Sequence, residues 1–261
     1  MNKYDQLINY LKKLGSCAIG FSGGSDSTFL IEAAKIALGE KAIAFTIVSP
    51  HMAKWETDES IELSKKLNIK HYSIESPIID KIRNNPENRC YYCKKDLYSI
   101  IISEAKKLNI EHVIDGTNAD DINDHRPGMK ALNELGIKSP LLELGITKEE
   151  VRKYSKKLNL PTWDKPSNAC LPSRLPYNTQ ITEEILSNIE EAELFLKKLG
   201  FKTVRVRTHG NVARIELEEN KIHEIFSRNL TPQIIEKFKK LGYKHISVDL
   251  ECYKTGKMNI K

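Results

Sequence analysis

Ala18-Ile19-Gly20-Phe21-Ser22-Gly23-Gly24-Ser25-Asp26-Ser27-Thr28-Phe29-Leu30 is the stretch that decides the fold. It reads as a short buried strand, a loop of two glycines among small hydroxyl residues, and the opening of an amphipathic helix. Adjacent glycines let the backbone come close to an anion. The N-terminus of the following helix offers free N–H groups and the positive end of its dipole. Ser22, Ser25, Ser27 and Thr28 add hydroxyl donors. The chemistry is that of a phosphate cradle. It is not a Walker A loop, because the lysine that reaches the terminal phosphates there is missing and Asp26 stands inside the motif instead. An ordinary glycine-rich strand-to-helix turn is the plain alternative.

Outward from this loop, strands and helices alternate. Residues 3–14 have the spacing of a first helix, with Ile8, Leu11 and Leu14 on one side. Residues 42–48 are a continuous apolar run, as expected of a strand buried on both faces. A helix over 54–67 with Ile61 and Leu67 inward, a strand over 70–75 and a strand over 111–115 follow. Between them, an irregular segment over 84–93 leads into a helix at about 94–108. Thr147-Lys148-Glu149-Glu150 is a capping box that starts a helix, and Pro161 limits it. This alternation predicts an α/β fold with a doubly wound parallel sheet and ligands at the carboxyl ends of its strands. Ser22–Ser27 and Gly116–Asp121 fall at such ends. After a loop over 166–180 the pattern changes to a smaller α+β domain over 181–261, for substrate binding or oligomerisation. It has a helix at 182–199, a hairpin of 202–208 with 212–217, helices near 219–228 and 232–241, and a strand at 245–250.

Composition narrows the classes. No apolar run reaches the roughly 18–20 residues of a membrane helix, and the first residues lack the apolar segment of a signal peptide, so a cytoplasmic location is expected. The net charge of +6 is spread over pairs such as Lys65-Lys66, Lys106-Lys107 and Lys156-Lys157. That suits anionic ligands but is too diffuse to argue for nucleic acid. Five cysteines, an odd number, point to metal or reactive thiol chemistry rather than a disulfide framework. Cys90 and Cys93 form a Cys-x-x-Cys pair, Cys170 lies in the loop 164–174, and Cys17 and Cys252 read as bystanders. A 4Fe-4S cluster on three thiolates, a zinc or redox thiol pair, and unrelated cysteines all remain open. In the hairpin, a turn at His209-Gly210 or Gly210-Asn211 sets Arg214 opposite Arg205 or Arg207. Like charges so placed ask for an anion between them, unless the arginines share a solvated face. Arg174 has the fork to grip a carboxylate. Glu190 and Glu193 share a helix face, to be read as solvated acid or as a metal site.

Ser-Gly-Gly-x-Asp-Ser after a strand resembles the PP-loop of the ATP pyrophosphatase superfamily, with its adenine nucleotide alpha hydrolase-like fold. Closer matches are Asn88-Arg89-Cys90-Tyr91-Tyr92-Cys93-Lys94, Asp115-Gly116-Thr117-Asn118-Ala119-Asp120-Asp121, His125-Arg126-Pro127-Gly128, Ser139-Pro140-Leu141, Trp163-Asp164-Lys165-Pro166-Ser167-Asn168-Ala169-Cys170-Leu171 and Arg205-Val206-Arg207-x-His209-Gly210. These segments resemble the LarE family of sulfur transferases, over a span from the PP-loop to about Glu216.

The resemblance implies an activity. An ATP-dependent enzyme adenylates the carboxylates of a pyridinium dicarboxylate mononucleotide and exchanges oxygen for sulfur, a step in making the nickel-pincer nucleotide of lactate racemase. Some members give up the sulfur of the cysteine matching Cys170. Others have Cys-x-x-Cys plus that third cysteine, and hold a 4Fe-4S cluster that binds an extra sulfide. This chain has the three-cysteine pattern, with Cys90, Cys93 and Cys170 as ligands. ATP would sit on Ser22, Gly23, Gly24, Ser25, Asp26 and Ser27, with Asp26 helping to hold Mg²⁺. Gly116, Thr117, Asn118 and Asp121 would line the adenylate site, or else form a tight loop of Asx turns. Arg205, Arg207 and Arg214 would take the substrate's ribose phosphate, and Arg174 a substrate carboxylate. Sulfide or another sulfur donor, a homo-oligomer, no membrane and no nucleic acid complete the expectation. A PP-loop, iron–sulfur-dependent tRNA thiolase and a non-catalytic sensor of ATP and redox state are the competing readings.

Overall fold

The computed structural model describes residues 1–123, 127–166 and 169–254. His125, Arg126, Ser167 and Asn168 of the segments quoted above lie outside the described residues. The chain divides into two compact units. One is Met1–Ile82 with Asn88–Asn168, and the other is Arg83–Glu87 with Ala169–Lys261.

The first unit runs α1 (Lys3–Leu14), β1 (Cys17–Gly20), α2 (Ser25–Leu38), β2 (Ala42–Val48), α3 (Lys54–Lys66), β3 (Lys70–Glu75), α4 (Arg89–Lys107), β4 (Val113–Ile114), α5 (Pro127–Glu134), α6 (Pro140–Glu143) and α7 (Lys148–Lys157). Its sheet has the order β3-β2-β1-β4, every pair parallel. Parallel neighbours need a crossover, and the helices supply it. Alternate residues of β1 and β2 face opposite sides. Cys17, Ile19, Ala42 and Ala44 pack with Leu7 and Leu11 of α1, Phe29 of α2 and Val151 of α7. Ala18, Ile43, Phe45 and Ile47 pack with Ile101 and Ala105 of α4 and Leu132 of α5. The sheet is therefore covered on both faces, as the unbroken apolar run of β2 requires.

Three elements differ from the sequence pattern. Helix α3 buries Thr57, Ser60, Leu63 and Ser64; Leu67, just past its end, packs against the core as expected, while Ile61 is only half-buried. Its small residues admit the loop that follows β1: a Cβ on Gly23, whose φ is +66°, would stand 2.9 Å from Ser60 Cβ. Helix α4 begins at Arg89, so Cys90 and Cys93 sit on its first turns and not in an irregular loop. The Tyr91 and Tyr92 amides donate to Asn88 O and start the helix there. Strand β4 spans only Val113–Ile114, with the Asp115 amide donating to Lys138 O.

The second unit holds α8 (Glu183–Lys198), β5 (Val204–His209), β6 (Val212–Leu217), α9 (Ile222–Ser227), α10 (Thr231–Lys240) and β7 (His245–Val248). Strands β5 and β6 form an antiparallel hairpin through Gly210-Asn211, and β7 adds to β6 in parallel. Val204, Val206, Ala213 and Ile215 pack on Leu196, Phe201 and Phe238. Residues from Ala169 to 180 belong to this unit and are not a free connector. Residues 83–87 stitch them down: Asn85 Nδ2 donates to Leu175 O (3.1 Å) and Pro176 O (2.8 Å), and the Ile181 amide donates to Arg83 O (2.7 Å).

The capping box at Thr147 forms, with Glu150 returning to the Thr147 amide. Burial opposes the Glu150 charge, but the Lys3 ammonium at 2.7 Å and the Thr147 amide hold its carboxyl below the usual range. The group is half-buried at the surface, so its weight is that of a helix cap and a surface pair. Glu150→Ala is expected to lower stability by about 1 kcal/mol at neutral pH. A depressed carboxyl adds stability above its unfolded pKa of about 4.3 and loses it as the pH falls through the folded value. The gap between variant and parent in urea titrations should therefore close below about pH 4.

Candidate nucleotide and sulfur sites

Helix α2 opens at Ser25 with Gly24 in extended geometry at its N-cap, and no side chain caps it. The first amides of the helix are left for an anion. Around them the hydroxyls are ordered: Ser22 Oγ lies 3.2 Å from Ser27 Oγ, and Ser27 Oγ donates to Gly24 O at 3.3 Å. The loop after β4 comes up against this turn. A Cβ on Gly116 would stand 3.1 Å from the Ser27 backbone nitrogen, so glycine is needed for the close approach. Within that loop Asp121 Oδ2 accepts from the Asn118 amide, Asn118 Oδ1 accepts from the Asp120 amide, and Thr117 Oγ1 donates to buried Asp115. One Asx turn is present, at Asn118, and Asn118 Nδ2 also reaches Asp26 Oδ1 at 3.4 Å.

A lysine that sequence reasoning passed over completes the loop. Lys148 Nζ stands 2.5 Å from Asp26 Oδ2 and 2.7 Å from Ser25 Oγ, and its backbone amide donates to Asp120 Oδ2. The cation absent from the glycine-rich loop thus arrives from the first turn of α7, where the capping box sets its place. Lys165 approaches from another side, donating to Gly23 O at 3.1 Å and pairing with Glu59 at 3.0 Å. The two loops open into a cavity of about 300 Å³, with Ser22, Asp26 and Thr117 at its polar end and Phe45, Ile47 and Ile101 on its apolar wall. A polar end and an apolar wall suit a nucleotide's phosphates and base.

Lys94 and Met52 also line this cavity. Each follows a residue of a second small constellation: Cys93 Sγ is 3.2 Å from His51 Nε2, and His51 Nδ1 is 2.7 Å from Ser49 Oγ. Burial of His51 lowers its pKa to about 4, so it is neutral at neutral pH. Cys90, one helical turn before Cys93, is exposed. Cys17 is buried in the sheet, and burial pushes its thiol up to about 12, which makes it inert.

In the second unit, Cys170 is half-buried and precedes a 3-10 turn, Leu171–Arg174. Arg174, expected to meet a substrate carboxylate, is instead 2% exposed. Its Nε and Nη2 pair with both oxygens of Glu193 at 2.9 and 3.0 Å, and its Nη1 donates to Ala169 O and Cys170 O. Glu193 is likewise not on a solvated face. It is buried, and also accepts from the Val206 amide.

The hairpin register does set Arg207 opposite Arg214. The anion between them is the chain's own Glu216, fully buried, which accepts two bonds from Arg207 and one from Arg214. Arg207 Nη1 goes on to Ser173 O at 2.6 Å, and Ser173 Oγ donates to Cys170 O at 2.6 Å. The Cys170 turn is thus tied to the sheet by a run of buried ion pairs. Arg205 lies over the Tyr253 ring, while Arg214, whose side chain is 36% exposed, also meets Asp249.

Among the described residues no group of three or more His, Cys, Asp or Glu side chains stands together as a metal site. The donor types still suit the expected cofactors. The carboxylate and hydroxyl oxygens at Asp26 and Ser25 are hard donors of the kind Mg²⁺ takes, and three thiols outside the core are soft ones. Among the described residues no helix is long and apolar enough to cross a membrane.

A parallel doubly wound sheet, with an uncapped Ser-Gly-Gly-x-Asp-Ser turn at the carboxyl end of a central strand and a cavity above it, defines a PP-loop ATP pyrophosphatase fold. No family model matches the chain. It is 34% identical over 256 residues to the pyridinium-3,5-bisthiocarboxylic acid mononucleotide synthase of Lactiplantibacillus plantarum, covering 97% of this chain and 92% of that protein. It is 39% identical over 263 residues to an uncharacterized protein of Synechocystis sp., covering 99% and 97%. Over 207 residues it is 24% identical to one subunit of the glutamine-hydrolyzing GMP synthase of Methanosarcina acetivorans, covering 71% and 65%. The chain belongs to the LarE family, that of the pyridinium-3,5-bisthiocarboxylic acid mononucleotide synthase.

Removing one partner of a buried pair leaves the other charge uncompensated. Arg174→Ala is expected to cost about 3–5 kcal/mol of unfolding free energy. Replacing both, Arg174→Met with Glu193→Leu, should cost clearly less in the same urea titration.

Proposed function

We propose that this chain is an ATP-dependent sulfur transferase. It adenylates the carboxylates of pyridinium-3,5-dicarboxylate mononucleotide and replaces oxygen by sulfur; its Lactiplantibacillus relative is named as the synthase of the bisthiocarboxylic acid mononucleotide. The observation that carries the adenylation step is Lys148 held against Asp26 and Ser25, beside amides of α2 that no side chain caps. A carboxylate is a poor electrophile, and oxide is a poor leaving group. Attack of the substrate carboxylate on the ATP α-phosphorus gives an acyl-adenylate, from which AMP departs readily. The pyrophosphate that leaves carries its charge to the loop. There the α2 amides, the Ser22 and Ser27 hydroxyls and the Lys148 ammonium stabilise it. Gly116, Thr117, Asn118 and Asp121 line the adenylate end. Asp26 would hold Mg²⁺, which when bound neutralises the developing pyrophosphate charge.

For the sulfur step, Cys90, Cys93 and Cys170 would hold a 4Fe-4S cluster, which would supply a bound sulfide as the nucleophile. Cys170 would serve as a ligand rather than as the sulfur source, because transferring its own sulfur would break its Cβ–S bond, at the cost of one protein per sulfur. Arg174 and Arg207 hold the Cys170 turn, leaving Arg214, the most exposed of the hairpin arginines, to meet the ribose phosphate. Sulfide from a donor in the cytoplasm completes the balance: one oxygen leaves with AMP for each sulfur that enters.

Anaerobic turnover with ATP, Mg²⁺, sulfide and the dicarboxylate nucleotide is expected to yield AMP, pyrophosphate and more than one thiocarboxylate per protein. Product limited to one per protein, with H₂S lost from Cys170 by mass spectrometry, would instead mean sacrifice of that residue. Cys90→Ala, Cys93→Ala and Cys170→Ala should each abolish the iron–sulfur absorption of reconstituted protein. A full cluster in any one of them removes that residue from the ligand set. Lys148→Ala should slow pyrophosphate release about 10- to 150-fold, the value of a charge-assisted contact of about 1.5–3 kcal/mol.

A further inference from the structure

The adenylation chemistry makes no use of His51, a histidine buried beside the nucleotide cavity. It lies just past the carboxyl end of β2 and is 2% exposed. Its two ring nitrogens are both engaged, Nε2 with Cys93 Sγ at 3.2 Å and Nδ1 with Ser49 Oγ at 2.7 Å. We propose that His51 is a positioning residue for the Cys93 sulfur, donating Nε2–H to it when it is a metal-bound thiolate, with Ser49 fixing the tautomer from the far side. The inference rests on the reading of Cys93 as a cluster ligand.

The direction of each bond follows from hydrogen inventory. A ligating thiolate has no proton and only accepts, so Nε2 must carry the hydrogen. A neutral imidazole has one N–H, which leaves Nδ1 bare and in need of a donor. Ser49 stands there with a hydroxyl that can turn to supply it. The next residue along from each partner, Met52 and Lys94, lines the cavity, which sets this N–H···S contact at the edge of the nucleotide site. Ligand orientation and potential are both governed by such outer contacts. A hydrogen bond to a cysteinate withdraws electron density from the sulfur and favours the reduced cluster, raising its potential. A histidine that only filled space would leave the potential unmoved.

The test is the midpoint potential of the reconstituted full chain, followed by optical and EPR titration under anaerobic conditions. Three variants, His51→Leu, His51→Gln and Ser49→Ala, are compared with the parent. His51→Leu should shift the potential to more negative values. His51→Gln, which keeps an N–H at similar reach, should return it toward the parent, and Ser49→Ala should shift it less than His51→Leu does. A parent protein that takes up no cluster overturns the cluster reading and this role with it. A parent that loads while His51→Leu carries the same iron at an unchanged potential overturns this role alone. Should His51→Leu fail to fold, Ser49→Ala decides: an unshifted potential there overturns the role.

Discussion

The first turn of α2 carries N–H groups that no side chain caps, and much of the first unit serves to keep them open at the surface of a cavity. An uncapped helix start is unfavourable in a folded protein unless something else meets it. Here glycine at 23 and 24 removes the side chains that would cover it. Small residues of α3 admit the loop, and Gly116 lets a second loop close against it. Lys148 of α7 pairs there with Asp26 of α2, placing one charge of each sign where triphosphate and metal are needed. The sheet order puts both loops at carboxyl strand ends, the position at which doubly wound sheets bind ligands.

The second unit answers a different demand. A cysteine in a turn between prolines and serines has no regular structure to hold it. Arg174 and Arg207 act as ties, each gripping a buried carboxylate with one part of the fork and carbonyls of the Cys170 turn with another. Buried ion pairs of this kind contribute little net stability, since desolvation offsets attraction, but breaking one is costly. Their value here is geometric: the guanidinium fork fixes directions that apolar packing would leave loose.

The sulfur chemistry divides in the same way between rigid and local parts. Cys90 and Cys93 ride on α4 three residues apart, and neighbours at that spacing lie on one helix face. Of the two, Cys93 turns toward a buried histidine at the end of β2, while Cys90 is exposed. Helix and strand end are held in register by the apolar packing of Phe45 and Ile47 on Ile101, so the contact between sulfur and ring depends on the core beneath it.

Local pattern in the sequence determined the loop, the helix it opens, the alternating sheet with both faces covered, the capping box and a hairpin that sets Arg214 opposite Arg205 or Arg207. Each of these follows from neighbours within a few residues or from a period of two or 3.6. What only the tertiary structure decided are the pairings across long separations. Lys148 meets Asp26, His51 meets Cys93, and Glu193 takes Arg174. The charge and type of these residues are visible in the chain. Which opposite charge or sulfur each one meets is set by crossovers and helix packing, and no local spacing encodes that.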